Sequence, residues 1–365
     1  MMKVVFASGG TGGHIYPALA IADEMNSRYH SFDPLFVGTR SGLESELLSG
    51  CGYELKYIVS KPLRGRKFWG RVGTLAGLAA GIIQALVILT RFNPDLVIGF
   101  GGYASASVVI AGALLRKPVF LQEQNSIPGM ANRVLSRLAR RIYLGFEHAG
   151  DFFRDGRKLL HTGNPLRRMI TENYTGNPHS AFGLNPGIPT LLVFGGSQGA
   201  SSLNRAALEY FRSGADIQGI IQTGTNDFDK VKSALSELKE QVFVSEFIQN
   251  IREAYEAADI VLARAGALSV AEIASVGIPS ILVPYPFAAD DHQSVNARFL
   301  EESGGAVTVR DSELSGDKLR ELLAQIIGDE GKLERMRSGA REKGAADAAR
   351  RIVEDITGIM EGRAY

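Results

Sequence analysis

Short runs of β-branched and other apolar residues alternate with helical stretches along the whole chain, and this alternation fixes the fold class. In the first half the runs fall near residues 3–7, 34–38, 53–59, 95–100, 118–122 and 141–145. The second half repeats the pattern with TLLVFGG (190–196), GIIQT (219–223), VFVSE (242–246), DIVLA (259–263), SILVP (280–284) and AVTV (306–309). Unbroken apolar runs read as strands covered on both faces, the habit of a parallel sheet wrapped by its crossover helices. The expected fold is therefore α/β, with two Rossmann-like doubly wound parallel-sheet domains in tandem. A length of 365 residues exceeds one ordinary core and suits two. A polar stretch rich in Gly, Asn and Pro, from Asn164 to Pro189, reads as the linker. The boundaries drawn on this basis are 1–166 and 167–344, with a charged amphipathic C-terminal helix at about 345–365 joined to the first domain.

In such sheets ligands lie beyond the carboxyl ends of strands, where helix N-termini present backbone amides to anionic groups. Three glycine-rich loops occupy such ends: Gly9, Gly10, Thr11, Gly12 and Gly13; then Gly99 with Gly101 and Gly102 before Tyr103; then Gly195, Gly196, Ser197, Gln198 and Gly199. One loop of this kind is explained equally well by a tight strand-to-helix turn, but three, spread over both halves, point to a ligand cleft between the domains. Neither the first nor the third loop completes G-x-G-x-x-G, and no acidic residue follows Val37-Gly38-Thr39 to hold a dinucleotide ribose. No G-x-x-x-x-G-K-[ST] occurs either, which argues against a P-loop hydrolase.

A fourth cluster, RAGALSVAEIASVG at 264–277, follows the strand at 259–263. Small residues Ala265, Gly266 and Ala267 allow close approach at a helix start, with Ser269 as an anion ligand. Glu272, one turn in, can accept two ribose hydroxyls or simply favour the helix dipole. Gln293 and Asn296 share one helical face, suited to hydroxyl recognition or to solvent. The only D-x-D, Asp227-Phe228-Asp229, reads as a helix cap rather than a metal site, so no metal and no cofactor is expected.

A net charge of +1 gives no field for nucleic acid, and a single cysteine, Cys51, excludes an internal disulfide and suits a reducing cytoplasm. No secretory signal is readable, since the apolar run after Lys3 stops at Ser8. Residues 72–89 are uncharged and flanked by Arg64, Arg66, Lys67, Arg71 and Arg91, at the lower edge of a bilayer span. Their Ala and Gly content favours a helix packed on the sheet that shows an apolar, base-rimmed face to an anionic membrane surface, extended by Arg133, Arg137, Arg140 and Arg141.

The motifs GGTGGHIYPALAIA, GFGGYASA, QEQNSIPGMANR, TGNPLR, FGGSQGASSLN, SEFI and RAGALSVAEIASVGIPSILVPYP, in this order over nearly the whole chain, closely resemble the MurG family of bacterial peptidoglycan glycosyltransferases. The resemblance implies a GT-B fold and inverting transfer of N-acetylglucosamine from UDP-GlcNAc to the C4 hydroxyl of the muramyl sugar in lipid I. The products are UDP and lipid II, formed at the cytoplasmic face of the membrane. Carried over by motif, Thr11, Gly12 and Gly13 line the donor and acceptor phosphate region, with Gly102 and Tyr103 as secondary candidates. Asn125, Arg167, Ser197 and Ile248 match donor-binding positions, Ile248 offering backbone groups to the uracil edge; Gly196 and Gln198 flank Ser197. Ala267, Leu268, Ser269, Val270, Ala271 and Glu272 hold phosphate and ribose, Gln293 meets the sugar, and Asn296 is secondary. The family often has Ser at the position of Ala265 and Thr at that of Ser269.

With no metal, departing diphosphate is stabilised by backbone amides, a helix N-terminus and a cation such as Arg167. His14, ending the first glycine loop, is the candidate base or a ligand of the acceptor phosphate. The rival readings are a related transferase acting on another lipid acceptor such as a diacylglycerol, and a UDP-sugar-binding regulator without catalysis. The latter leaves the first glycine loop without a purpose.

Overall fold

The computed structural model describes residues 1–9, 12–40, 47–48, 51–60, 68–196 and 199–363, with 68–76 described as backbone only. The chain divides into two compact units, Met1–Arg167 with Ala346–Tyr365, and Arg168–Ala345.

The first unit holds β1 (Met2–Ala7), α1 (Gly12–Arg28), β2 (Phe32–Gly38), β3 (Glu54–Tyr57), α2 (Phe68–Phe92), β4 (Leu96–Gly99), α3 (Gly102–Leu114), β5 (Val119–Glu123), α4 (Met130–Leu135), β6 (Arg141–Leu144) and β7 (Leu159–His161). The strands pair in parallel in the order β3-β2-β1-β4-β5-β6-β7, so the winding direction reverses between β1 and β4. Alternation along β1 supplies both faces. Val4 and Phe6 join Phe36, Phe100, Phe120 and Tyr143 on one side, where the Phe6 and Phe36 rings stack at 5.0 Å. Val5 and Ala7 join Val97, Val109 and Leu121 beneath α2 and α3 on the other.

The second unit runs α5 (Arg168–Thr171), β8 (Thr190–Phe194), α6 (Ser201–Arg212), β9 (Gln218–Gln222), α7 (Phe228–Ala234), β10 (Val242–Ser245), α8 (Ile251–Ala257), β11 (Ile260–Ala263), α9 (Ala267–Val276), β12 (Ser280–Leu282), α10 (His292–Glu301), β13 (Ala306–Thr308), α11 (Gly316–Ile327) and α12 (Glu330–Glu342). Its parallel sheet has the order β10-β9-β8-β11-β12-β13, with the reversal between β8 and β11. Leu203, Ala207 and Phe211 of α6 and Leu319, Leu323 and Ile326 of α11 close one face of the sheet.

The last helix, α13 (Ala348–Met360), returns to the first unit, where Ile352, Val353 and Ile356 are fully buried against the Phe6 cluster. At roughly 1.5–3 kcal/mol per fully buried side chain, these three hold the helix. The exposed Arg28–Glu354 pair at 2.9 Å adds little, since such pairs are worth about 1 kcal/mol at most. Asp355 supplies orientation: it accepts from Arg141 Nε at 3.1 Å and Nη2 at 3.2 Å, and from the Tyr143 hydroxyl at 2.9 Å.

Three expectations change, and the packed helix expected at residues 72–89 is present. Strand β7 escapes the sequence pattern because it is three residues long and sits at the sheet edge against β6 alone. The linker begins later than Asn164, whose buried amide bonds Gln122 and the Gln124 carbonyl at the core of the first unit; the chain crosses after Arg167. Residues 72–89 lie within α2, which packs on α3 so closely that a side chain at Gly81 would meet the Val59 carbonyl and Ser107. Among the described residues no helix is long and apolar enough to cross a membrane. The basic patch is also smaller than expected. Arg141 is engaged by Asp355, and Arg133 donates to the Pro128 carbonyl at 2.8 Å and lies over Phe152, leaving Arg137 and Arg140 exposed. Arg64, Arg66 and Lys67, and the side chain of Arg71, lie outside the described residues.

Candidate active site

In the first unit the switch point brings the first two glycine loops together. Phe100 N–H donates to the Ala7 carbonyl at 2.9 Å, and α1 and α3 start immediately beyond, at Gly12 and Gly102. His14, in the first turn of α1, is half-buried with Nδ1 2.9 Å from the Gly9 carbonyl. A carbonyl only accepts, so Nδ1 carries a proton. Nε2 faces Gly101: a Cβ built there would lie 3.4 Å from His14 Nε2 and 3.4 Å from Asn132 Nδ2. Gly101 has φ +90 and ψ −178, a conformation available essentially to glycine, and it leaves the start of α3 with no side-chain cap. Gly13 and Tyr103 are exposed, Gly12 and Gly102 half-buried; Thr11 lies outside the described residues.

Beside these loops Glu123, at the end of β5, is buried and gathers the QEQN segment. Its carboxylate accepts from Asn125 N–H at 3.0 Å, Gly129 N–H at 3.1 Å and Asn132 Nδ2 at 2.8 Å. Burial pushes its carboxyl above the usual range against the opposing pull of those bonds. Asn125, half-buried, is thereby held at the strand end. Arg167, the last residue of this unit, stacks its guanidinium 4.2 Å from the Tyr16 ring centre, and Tyr16 in turn lies against Gly12.

The second unit repeats the arrangement. The turn after β8 is glycine-bound: a side chain at Gly199 (φ +74) would strike the Thr223 carbonyl, and one at Gly195 would strike Ala200. The first helical hydrogen bonds of α6 and α9 are Asn204 N–H to Ala200 and Val270 N–H to Gly266. The N–H groups of residues 201–203 and 267–269 thus precede any intrahelical acceptor, at the ends of the two strands that flank the switch point. Glu272, 8% exposed, receives the Tyr255 hydroxyl at 3.1 Å. Leu268, Ser269 and Ala271 are half-buried and Ala267 is buried; Val270, 0% exposed, packs into the core and offers no side chain to a ligand. Ser197 and Gln198 lie outside the described residues.

Three further candidates are constrained by their bonds. Ile248 donates its N–H to Gln222 Oε1 at 2.9 Å, so of the two backbone groups expected to meet a base edge that donor is engaged. Gln293 Oε1 accepts Tyr285 N–H at 2.9 Å and anchors the loop before α10. Asn296 is fully buried and donates to the Ala265 carbonyl at 3.2 Å, which makes it a support of the α9 entry rather than a surface ligand. Asp227 stands at the N-cap of α7, but its side chain bonds Asn204 at 2.9 Å rather than a helix N–H. The Ser201 hydroxyl leads the causes that hold its carboxyl below the usual range. Among the described residues no three His, Cys, Asp or Glu side chains gather as a metal-binding group.

Sequence reasoning missed the supports. Arg264, at the end of β11, is ion-paired with Asp311 at 2.6 Å and donates to Ser202 at 2.8 Å and to the Val283 carbonyl at 3.2 Å, tying three loops together. Burial alone would raise the Asp311 carboxyl; bonds from Ser202 and Arg264 outweigh it and hold it low. Gln222 and Glu123 shared a legible signal, a polar residue closing a fully buried strand.

Two parallel Rossmann-like sheets in tandem, each with paired helix N-termini at its switch point, constitute the GT-B fold of nucleotide-sugar glycosyltransferases. Residues 4–144 match the glycosyltransferase family 28 N-terminal domain and residues 190–352 its C-terminal domain. A Myxococcus xanthus protein named UDP-N-acetylglucosamine--N-acetylmuramyl-(pentapeptide) pyrophosphoryl-undecaprenol N-acetylglucosamine transferase is 38% identical over 99% of this chain and 94% of its own length. A Desulfotalea psychrophila protein of the same name is 41% identical over 96% and 95%. The crystal structure of Acinetobacter baumannii MurG superimposes with a TM-score of 0.74 at 26% identity, covering 97% of this chain and 98% of that one. The chain belongs to the MurG branch of glycosyltransferase family 28.

Proposed function

We propose that this chain transfers N-acetylglucosamine from UDP-GlcNAc to the C4 hydroxyl of the muramyl sugar of membrane-bound lipid I, inverting the anomeric centre without a metal ion. The reaction named for the relatives supports the substrates, and the tautomer of His14 carries the chemistry. The acceptor hydroxyl gives its proton to Nε2 while its oxygen attacks the anomeric carbon. The bond from that carbon to the diphosphate breaks, and UDP departs with the electron pair. Charge growing on the diphosphate falls to the open N–H groups at the starts of α6 and α9, with Ser197, Ser269 and Arg167 as supporting ligands. Each preorganised donor of this kind is worth roughly 3 kcal/mol of barrier. Glu272 takes the ribose, the Ile248 carbonyl the uracil, and Asn125 and Gln293 the sugar. Thr11, Gly12, Gly13, Gly102 and Tyr103 line the acceptor phosphate.

The acceptor is lipid-borne, and the first unit carries a surface fit for a bilayer on the cytoplasmic side. Met130, Val134 and Leu138, four residues apart along α4 and the turn after it, are 76%, 67% and 44% exposed; Ile83 and Val87 of α2 are 63% and 46% exposed. Arg137, Arg140 and Arg91 accompany them. A basic side chain near an anionic surface contributes on the order of 1 kcal/mol.

The test measures UDP release from UDP-GlcNAc in EDTA, with and without a lipid I analogue. Release that requires the analogue and survives chelation is expected. Equal release without acceptor, or activity that returns only with magnesium, refutes the proposal. His14→Ala separates the two roles of the ring. A base loses turnover at every acceptor concentration and has an acid-side loss of rate in the parent enzyme; a phosphate ligand, which acts as the imidazolium, loses acceptor affinity and works best in acid.

A further inference from the structure

Gln222 closes β9, the strand between β8 and β10, and is 4% exposed. It pairs in register with Phe194 on one side and Ser245 on the other. Its amide reaches into the loops that follow both neighbours: Nε2 donates to the Gly196 carbonyl at 3.2 Å, and Oε1 accepts Ile248 N–H at 2.9 Å. The partners dictate which end of the amide is which, because a carbonyl only accepts and a backbone N–H only donates. Gly196 sits in the left-handed region at φ +86, and its carbonyl also receives Gly199 N–H at 3.1 Å. We infer that Gln222 is a positioning residue for the nucleotide: one buried amide spaces the glycine turn that faces the diphosphate from the Ile248 segment that faces the base. The inference rests on the donor-site reading above.

No other side chain of similar size reproduces both bonds at all pH values. Met fills the volume and makes neither. Glu is isosteric: its protonated form offers an O–H to Gly196 and a carbonyl oxygen to Ile248, whereas its ionised form turns a second acceptor on the Gly196 carbonyl and puts a buried negative charge beside the nucleotide. UDP affinity of the full-length Gln222→Met and Gln222→Glu variants, taken by calorimetry between pH 5 and 8.5 and divided by that of the parent at each pH, reads this out. Gln222→Met is expected to bind roughly ten- to thirtyfold more weakly at every pH, the loss of two ordinary hydrogen bonds. Gln222→Glu is expected within about threefold of the parent in acid and weaker than Gln222→Met in base, by the same bond inventory. A general loss of stability lowers the melting temperature of both variants but does not restore UDP affinity on acidification. Gln222→Met binding UDP like the parent, or Gln222→Glu tracking Gln222→Met across the range, overturns the positioning role alone. Absence of UDP binding by the parent overturns the donor site itself, and this inference with it.

Discussion

Gly101→Ala tests the geometry of the first switch point. The backbone there, φ +90 with ψ −178, lies where a Cβ is strained. Holding a non-glycine residue in such a region costs about 1–3 kcal/mol. In a body of 150–250 residues each kcal/mol lowers the melting temperature by roughly 2–4 °C, so a drop of about 2–12 °C is expected and the protein remains folded at 25 °C. The methyl group would stand 3.4 Å from His14 Nε2, in the space a hydroxyl must enter to hand over its proton. Proton transfer by a positioned base is worth roughly 10²–10⁴ in rate, about 3–5 kcal/mol of barrier, and most of that is expected to vanish. UDP binding, which the proposed function assigns to the second unit, is expected to stay unchanged. Gly129→Ala is the matched control, since that residue has φ −62 with ψ 149 and a Cβ there meets nothing within 4 Å. Steady-state GlcNAc transfer at 25 °C and a thermal melt on the two variants suffice. A Gly101→Ala enzyme with parental turnover refutes the assignment of the Nε2 side of His14 to the acceptor hydroxyl.

Two further outcomes follow from buried and exposed groups. Burial raises the Glu123 carboxyl in the folded state above its unfolded value, so the native chain holds that proton to higher pH than the unfolded chain does. Stability from this group is therefore complete below the usual carboxylate range and declines as pH rises toward the folded-state value. Glu123→Gln removes that slope and turns an NH₂ on the two donors that share one carboxylate oxygen, at a cost of about 1–3 kcal/mol for each buried donor left unpaired; melts at a series of pH values that keep the parental slope in the variant exclude the linkage. On the membrane side, Met130→Ser, Val134→Ser and Leu138→Ser together remove apolar surface worth roughly 1 kcal/mol per half-inserted side chain, an expected hundredfold loss of binding to anionic vesicles. Unchanged vesicle binding by the triple variant moves the attachment surface elsewhere.

The strands were legible because a parallel sheet covered on both faces demands continuous apolar runs, and runs such as Val4–Ala7 and Leu191–Phe194 are entirely buried. β7 was not, because an edge strand of three residues that ends in an exposed histidine needs no such run. The glycines of the loops were legible for a related reason: Gly101, Gly196 and Gly199 hold positive φ, which few other residues accept. Side-chain ties were not. Asn296 and Gln293 look alike as helix-face amides, yet one is buried on Ala265 and the other receives Tyr285 N–H; only the fold decides which carbonyl or amide each meets. Asp227 likewise stands where a cap belongs, but Asn204 and Ser201 claim its carboxylate.

The same topology occurs twice, and what differs between the two switch points separates their chemistry. At the first, the buried acid Glu123 spends its carboxylate on Asn125, Gly129 and Asn132, and Gly9 orients the His14 ring through Nδ1. At the second, Arg264 and Asp311 pair at 2.6 Å, and the starts of α6 and α9 present the positive ends of their helix dipoles. Under the proposed function, donors fixed by the fold, with Gln222 tied to the Gly196 carbonyl, are expected to act on charge where it develops, so the rigidity of the second unit would be part of the catalysis rather than a background to it.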